Sequence, residues 1–243
     1  MSSVSVKAHE PCSDCGSHDA LVVYDDGHTY CFSCQAFHKG DSEEHMTTNK
    51  FITNCQLVDL KKRGITKTTC QRYGYFVSKA NGESVQVANY CDENGNLLGQ
   101  KLRYPDKRFI TIGKVGNKFF GQHLYSNKKR LIITEGEIDC LTLAQLYGLT
   151  EAIVSLPQGI TSARKVFEEN LKWLETFNEV YIVFDNDDAG RKGVEAVQGI
   201  LPPHQLKIVT LTTYKDPNEY YVNNAGVELL VYRDWETDRK SVV

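Results

Sequence analysis

The chain has 243 residues, 41% of them hydrophobic and 24% charged, with a net charge of −3. That is the make-up of an ordinary globular protein, long enough for one sizeable core plus a small satellite module. No run of 18 apolar residues occurs, and the opening MSSVSVKAHE lacks the apolar centre of a secretion signal, so no membrane span is predicted and the expected location is cytoplasmic. The mild net charge hides a division. Residues 1–45 carry 2 basic and 8 acidic side chains, residues 61–130 carry 15 and 4, and residues 131–222 carry 7 and 14. A segment at +11 beside one at −7 predicts one surface for phosphates and another for cations.

The first predicted element is a metal module over residues 1–34. Cys12, Cys15, Cys31 and Cys34 form two C-x2-C pairs fifteen residues apart, a spacing that lets two tight turns close a tetrahedral four-cysteine zinc site. Between them LVVYDDGHTYCF places two β-rich runs around Asp-Gly, a hairpin signal, so a zinc ribbon is expected, with one structural zinc. So polar a stretch would hardly fold without its metal. Cys55, Cys70, Cys91 and Cys140 stand singly and read as small buried hydrophobes. Asp26 and His28 sit at the hairpin tip and on its second strand; because the module is acidic, any nucleic-acid contact there should be selective rather than electrostatic.

Residues 35–50, QAFHKGDSEEHMTTNK, have little periodicity and read as a flexible linker. A basic subdomain is expected over 51–129. A short helix ends at Gly64, a second starts near Thr66 as its cap, and short strands follow with a hairpin turn at Asn94-Gly95. Positive charge concentrates at Lys101, Arg103, Lys107 and Arg108, and alternation puts Lys101 and Arg103 on one strand face.

From Arg130 to residue 222 the pattern is strand–helix alternation: strands RLIIT, AIVSL, EVYIVF and LKIVTL, with helices from IDCLTLAQLYG, from ARKVFEENLKWLETF as one helix, and from AGRKGVEAVQGIL. Continuous apolar strands joined by helices predict a parallel sheet, whose ligands gather beyond the carboxyl ends of its strands. Glu135, Asp185 and Asp187 fall at such ends and Asp216 just beyond the fourth strand. Like charges this close share protons or hold a hard cation, and an oxygen-only open site favours Mg²⁺ or Mn²⁺. Glu137 and Asp188 are expected as first-turn or N-cap acids of the following helices.

TEGEIDCL, followed about fifty residues later by FDNDDAG, resembles the Toprim domain of bacterial-type primases, topoisomerases and some nucleases. With DGHTYCFSC, GQKLRYPDKRF and KDPNE in this order, residues 10–225 resemble the primase portion of phage primase–helicases. The implied fold is a small β zinc ribbon linked to an α/β polymerase domain, an α+β subdomain plus the Toprim sheet. The implied activity is DNA-dependent RNA primase, making short primers on a single-stranded DNA template from ribonucleoside triphosphates. By the same resemblance Asp26 and His28 read the template's start trinucleotide, and Lys101 and Lys107 lie where nucleotides and template meet, with Arg103 and Arg108 as further nucleic-acid contacts. Glu135, Asp185, Asp187 and Asp216 hold two divalent cations. Further partners implied are a helicase domain and a replicative DNA polymerase, in the cytoplasm of an infected bacterium. Two departures stand out: Pro157-Gln158-Gly159 replaces the usual Gly-His-Gly, and the chain carries no P-loop. The tail, 223–243, ends in DRKSVV, which a sequencing adapter can encode; from about Arg233 it reads as non-native, and the chain as a fragment.

Two other functions are weighed. A metal-dependent Toprim nuclease would use the same acids, whereas a topoisomerase needs a further domain with a nucleophilic tyrosine for which no residues remain. A non-catalytic zinc-ribbon DNA-binding protein would not need Glu135, Asp185 and Asp187 together.

Overall fold

The computed structural model describes residues 5–24, 28–38, 51–80, 82–126 and 128–225. Asp26, residues 39–50 of the expected linker and everything from residue 226, including the stretch read as non-native, lie outside the described residues. The chain divides into two compact units, Met1–Lys50 and Phe51–Val243.

The first unit is an antiparallel sheet of β1 (Ser5–Glu10), β2 (Leu21–Tyr24), β3 (Thr29–Cys31) and β4 (Phe37–His38), in that order. The expected hairpin is its centre, with Leu21 opposite Cys31 and Val23 opposite Thr29. Among its described residues little is apolar and buried: Cys12 and Cys31 are the buried ones in that class, while Phe32 and Phe37 are exposed.

The second unit opens with a single 3₁₀ turn, Lys61–Arg63, where a helix was expected; Gly64 ends it at φ 67°, and α1 (Lys67–Tyr73) begins with Thr66 accepting from the Thr69 N–H, as its sequence predicts. Strands β5 (Tyr75–Ala80), β6 (Glu83–Cys91), β7 (Leu97–Arg103) and β8 (Phe109–Gly113) follow as an antiparallel meander. β6 has two working faces. Val85 and Val87 join Leu102 and Tyr104 in a small apolar cluster, while Ala88 and Tyr90 join the main core.

The remaining elements are β9 (Arg130–Thr134), α2 (Glu137–Leu146), β10 (Ala152–Ser155), α3 (Ala163–Glu169), α4 (Leu171–Leu174), β11 (Glu179–Val183), α5 (Asp188–Val197), β12 (Leu206–Ile208) and α6 (Pro217–Val222). The four strands form the predicted parallel sheet in the order β10-β9-β11-β12. Leu131, Ile133, Ile153, Val180 and Ile182 are fully enclosed, as a sheet covered on both faces requires. The same core takes in Tyr73, Tyr75, Phe119 and Phe120, so the meander and the parallel sheet bury one another's apolar faces.

Two expectations are corrected here. The helix expected over 163–177 is broken at Asn170, whose side-chain amide donates to the Val166 and Asn117 carbonyls and accepts from Gln122; this cross-linking outweighs helix propensity. The fourth strand stops at Ile208 rather than Leu211, and the Thr212 and Thr213 N–H groups donate instead to the Tyr220 hydroxyl.

Candidate functional site

In the first unit the four predicted cysteines come together, their sulfurs all within 4.8 Å of one another. Cys12 and Cys34 sulfurs are 3.9 Å apart and those of Cys15 and Cys31 3.7 Å. A tetrahedron with metal–sulfur bonds of about 2.3 Å has edges of about 3.8 Å, so the quartet fits a closed four-sulfur metal site. Backbone N–H groups from Cys34 and Ser33 lower the Cys31 thiol to about 7 against the opposing effect of burial. On Cys34 the Ala36 N–H acts the same way, but burial and the neighbouring sulfurs prevail and raise it to about 12. Four crowded sulfurs thus resist full ionisation until a cation joins them. His28 is half-buried in the same unit, its ring stacked on Tyr24 at 4.1 Å and tilted against Phe37 at 5.2 Å.

In the second unit the predicted acids gather at the carboxyl ends of the parallel strands. Glu135 follows β9, Asp185 follows β11, Asp187 is the N-cap of α5 and Asp216 the N-cap of α6. Asp187 accepts from the Gly190 N–H at 2.9 Å and Asp216 from the Glu219 N–H at 2.7 Å. The cap is therefore Asp187, and Asp188 is, as expected, the acid of the first turn, exposed and paired with Arg191. Gly190 is obligatory on packing grounds, because a Cβ there would lie 2.0 Å from the Asp185 carbonyl oxygen.

Charge decides how these acids behave. Glu135 is raised to about 7, first by burial and then by Asp185 and Asp187. Asp185 is raised to about 6 by burial and Asp216, which outweigh Lys215 3.4 Å away. Asp187 is lowered, by the Gly190 N–H first and then by Lys215 at 3.0 Å. The Glu135 Oε2 atom is buried with no hydrogen-bond partner, a costly arrangement unless a cation completes it. Among the described residues, only the cysteine quartet brings three or more such ligand atoms within 4.8 Å. The acids are set wider, as suits Mg²⁺ or Mn²⁺ that keep several waters. An all-oxygen donor set with an orphaned buried carboxylate oxygen fits such a cation.

Two participants escaped the sequence reading. Asp139, in the first turn of α2, accepts from the Asn218 N–H at 3.2 Å, and its carboxyl is raised well above the usual range by burial, Asp216 and Asp185. The signal was available, since α2 is otherwise apolar nearly all round and an acid inside such a helix needs a reason. Lys215 was the other: it is the cation that pairs with both Asp185 and Asp187, and its own ionisation is strengthened by them.

The structure also decides which way the basic face of β7 turns. Lys101 and Arg103 lie on the side of the meander that carries Ala88 and Tyr90, turned toward the parallel sheet rather than outward. Lys101 Nζ pairs with Glu137 Oε1 at 2.8 Å, both side chains nearly enclosed at 13% and 9% exposure, and the Tyr90 hydroxyl donates to the same oxygen at 2.7 Å. Glu137 is thus more than a first-turn acid: it locks the meander to α2. Lys101, Arg103, Glu135, Glu137 and Asp139 line one cleft of about 390 Å³, together with Pro157-Gln158-Gly159. Lys107 lies elsewhere, in a groove of about 540 Å³ that it shares with Lys61, Lys62, Arg63 and Arg103. Arg103 borders both spaces. Arg108 is half-exposed, held by Asp106 and Glu83 and lying over the Tyr104 ring.

Comparison with known proteins agrees with this arrangement. Residues 56–113 match the family model described as the N-terminal α+β fold of bacteriophage T7 DNA helicase/primase, and residues 132–221 match the Toprim-like model. The chain is 36% identical over 232 residues to the DNA helicase/primase of Enterobacteria phage T3, covering 88% of this chain and 41% of that one, so it spans about two fifths of that relative's length. The crystal structure of the primase fragment of the bacteriophage T7 primase-helicase superposes with a TM-score of 0.71 at 35% identity, over 93% of this chain and 98% of that one. A second T7 structure, in which primase domains bound to an RNA/DNA hybrid and dTTP interact with the lagging-strand DNA polymerase, gives a TM-score of 0.70 at 38% identity, over 73% of this chain and 90% of that one.

Proposed function

The chain belongs to the phage helicase/primase family, matching its primase fragment, and from that premise we propose that it is a DNA primase that joins ribonucleotides into short RNA primers on single-stranded DNA. The observation that carries this reading is the single cleft in which Lys101 and Arg103 from the antiparallel meander face Glu135, at the end of β9, and Asp139, in the first turn of α2. Phosphate-neutralising cations in one space with a metal-ligating acid are what phosphoryl transfer requires.

Glu135, Asp185, Asp187 and Asp216 would hold one or two divalent cations, with Asp139 beside them. When bound, the cations supply activation of the attacking hydroxyl and neutralisation of the leaving group. The 3′-hydroxyl oxygen of the growing primer forms a bond to the α-phosphorus of the incoming nucleotide, pyrophosphate departs, and the hydroxyl proton is lost. Lys101, fixed by Glu137, which Tyr90 holds in turn, and Arg103 are arranged to meet phosphate oxygens in that cleft. The cysteine quartet would hold zinc, and Asp26 and His28 would read the start sequence. A helicase portion, a replicative DNA polymerase and the cytoplasm of the infected bacterium complete the setting. Among the described residues no helix is long and apolar enough to cross a membrane.

Incubation with labelled ribonucleotides and single-stranded DNA containing all trinucleotides tests the activity. Short labelled RNA supports the reading, whereas cut DNA would mark a nuclease and no product a binding protein.

Two further outcomes are expected. Neutralising Lys107 or Arg103 should weaken DNA binding and flatten its salt dependence, by about 0.7 per lost phosphate contact on a log–log plot. An unchanged slope makes them ordinary surface cations. Lys215→Gln should tighten Mn²⁺ binding by roughly tenfold in a paramagnetic-resonance titration, because the ammonium competes with the ion for Asp185 and Asp187. Weaker Mn²⁺ binding would mean that Lys215 organises the acids rather than competing for them.

A further inference from the structure

Phe109 is 49% exposed, although a half-exposed phenylalanine forgoes much of the stabilisation its burial would bring. It belongs to neither apolar cluster. It opens β8, the edge strand of the meander, directly opposite Arg103. Its ring borders the cleft that holds Glu135 and Asp139. Two cations address the ring, Lys101 Nζ at 4.9 Å from its centroid and the Arg103 guanidinium carbon at 5.8 Å.

An aromatic surface flanked by cations, at the rim of an acid-lined cleft, offers two kinds of contact at once. The cations suit phosphates, and the ring suits a flat, apolar, π-bearing group attached to them. The chemical class that carries both is a nucleotide. We infer that Phe109 is a stacking platform for a nucleobase entering this cleft, either from the template strand or from a ribonucleoside triphosphate. The assignment deepens the polymerase reading and rests on it, but stacking can be measured without synthesis.

The competing role for the ring is apolar support for the Lys101 and Arg103 side chains. Phe109→Leu separates the two, because leucine keeps apolar bulk and removes the π face. Three ligands are titrated against the parent chain and this variant: inorganic tripolyphosphate, ATP, and a twelve-nucleotide single-stranded DNA. The expected result is an affinity for ATP or the DNA lower by roughly 5- to 100-fold, with tripolyphosphate binding unchanged. A loss confined to ATP identifies the nucleotide's base, and one confined to the DNA identifies a template base; either supports the platform. Equal losses for all three ligands, or none for any, would overturn it.

Phe109→Trp adds a direct reading. Quenching of the introduced indole by base-bearing ligands but not by tripolyphosphate is expected, measured against the parent, whose Trp173 and Trp235 set the background. Absence of that quenching despite binding would also overturn the assignment. If the parent chain makes no RNA yet its base-bearing ligands depend on Phe109, the polymerase reading fails and the platform stands.

Discussion

Replacing Asp185 by asparagine should abolish primer synthesis and, at the same time, raise the melting temperature in cation-free buffer at pH 8. Synthesis should fall by at least about 10²-fold, the scale of removing one electrostatic contact to charge that develops in a reaction. The stability gain follows from the raised carboxyl. Its proton affinity in the fold, about 6 against an ordinary 3.8, means that ionising it costs stability. The cost is absent below about pH 4, grows as the pH rises to about 6 and is complete above that. Its size is on the order of 1–3 kcal/mol, so an uncharged isostere should melt higher by about 2–4 °C per kcal/mol. Lys215 keeps Asp187 as its partner at 3.0 Å, so the substitution strands no buried cation. Circular-dichroism melting at pH 8 and at pH 4 checks this, with the difference expected at the first and lost at the second. Inactivity that came with a lower melting temperature would point to a structural aspartate instead.

Deleting the metal module should separate starting a primer from extending one. A chain beginning at Phe51 retains the whole second compact unit, with its acids and its basic strand. It should extend a pre-made oligoribonucleotide paired to template at close to the parent rate. Initiation from nucleotides alone should fall by roughly 10²-fold or more, because tethering is what holds a recognition module at about millimolar effective concentration. Chelation should reach a similar end by another route. A closed four-sulfur zinc site contributes apparent binding energies of about 10–16 kcal/mol, which a polar ribbon with little buried apolar surface cannot replace. His28→Ala should give a milder initiation defect, since one base contact discriminates by about 1–3 kcal/mol. Its ring also stacks on Tyr24, so His28→Phe, which keeps the stacking, should share the defect if base reading is the cause. A truncated chain that starts primers at the same sites and rates as the parent would reduce the ribbon to a stabilising appendage.

Much of this molecule is written locally. Two C-x2-C pairs define a metal module because sulfur spacing along the chain limits what the turns can reach, and the structure brings the four sulfurs within 4.8 Å. The apolar strands from Arg130 onward specify a parallel sheet because only a doubly covered sheet tolerates such runs, and Glu135 and Asp185 then fall at one edge by chain direction alone. Thr66 as a helix cap was likewise legible, since capping depends on neighbours three residues apart.

What tertiary structure decided is every relation between residues far apart in sequence. Periodicity put Lys101 and Arg103 on one face of a strand but could not say which face turned inward; the answer came from Ala88 and Tyr90 joining the core on that side. It turned Glu137, an ordinary first-turn acid by position, into the partner of Lys101, and parted Lys107 from the cleft where Lys101 lies. Asp139 and Lys215 acquired their electrostatic roles in the same way, because burial and long-range charge exist only once distant strands are side by side.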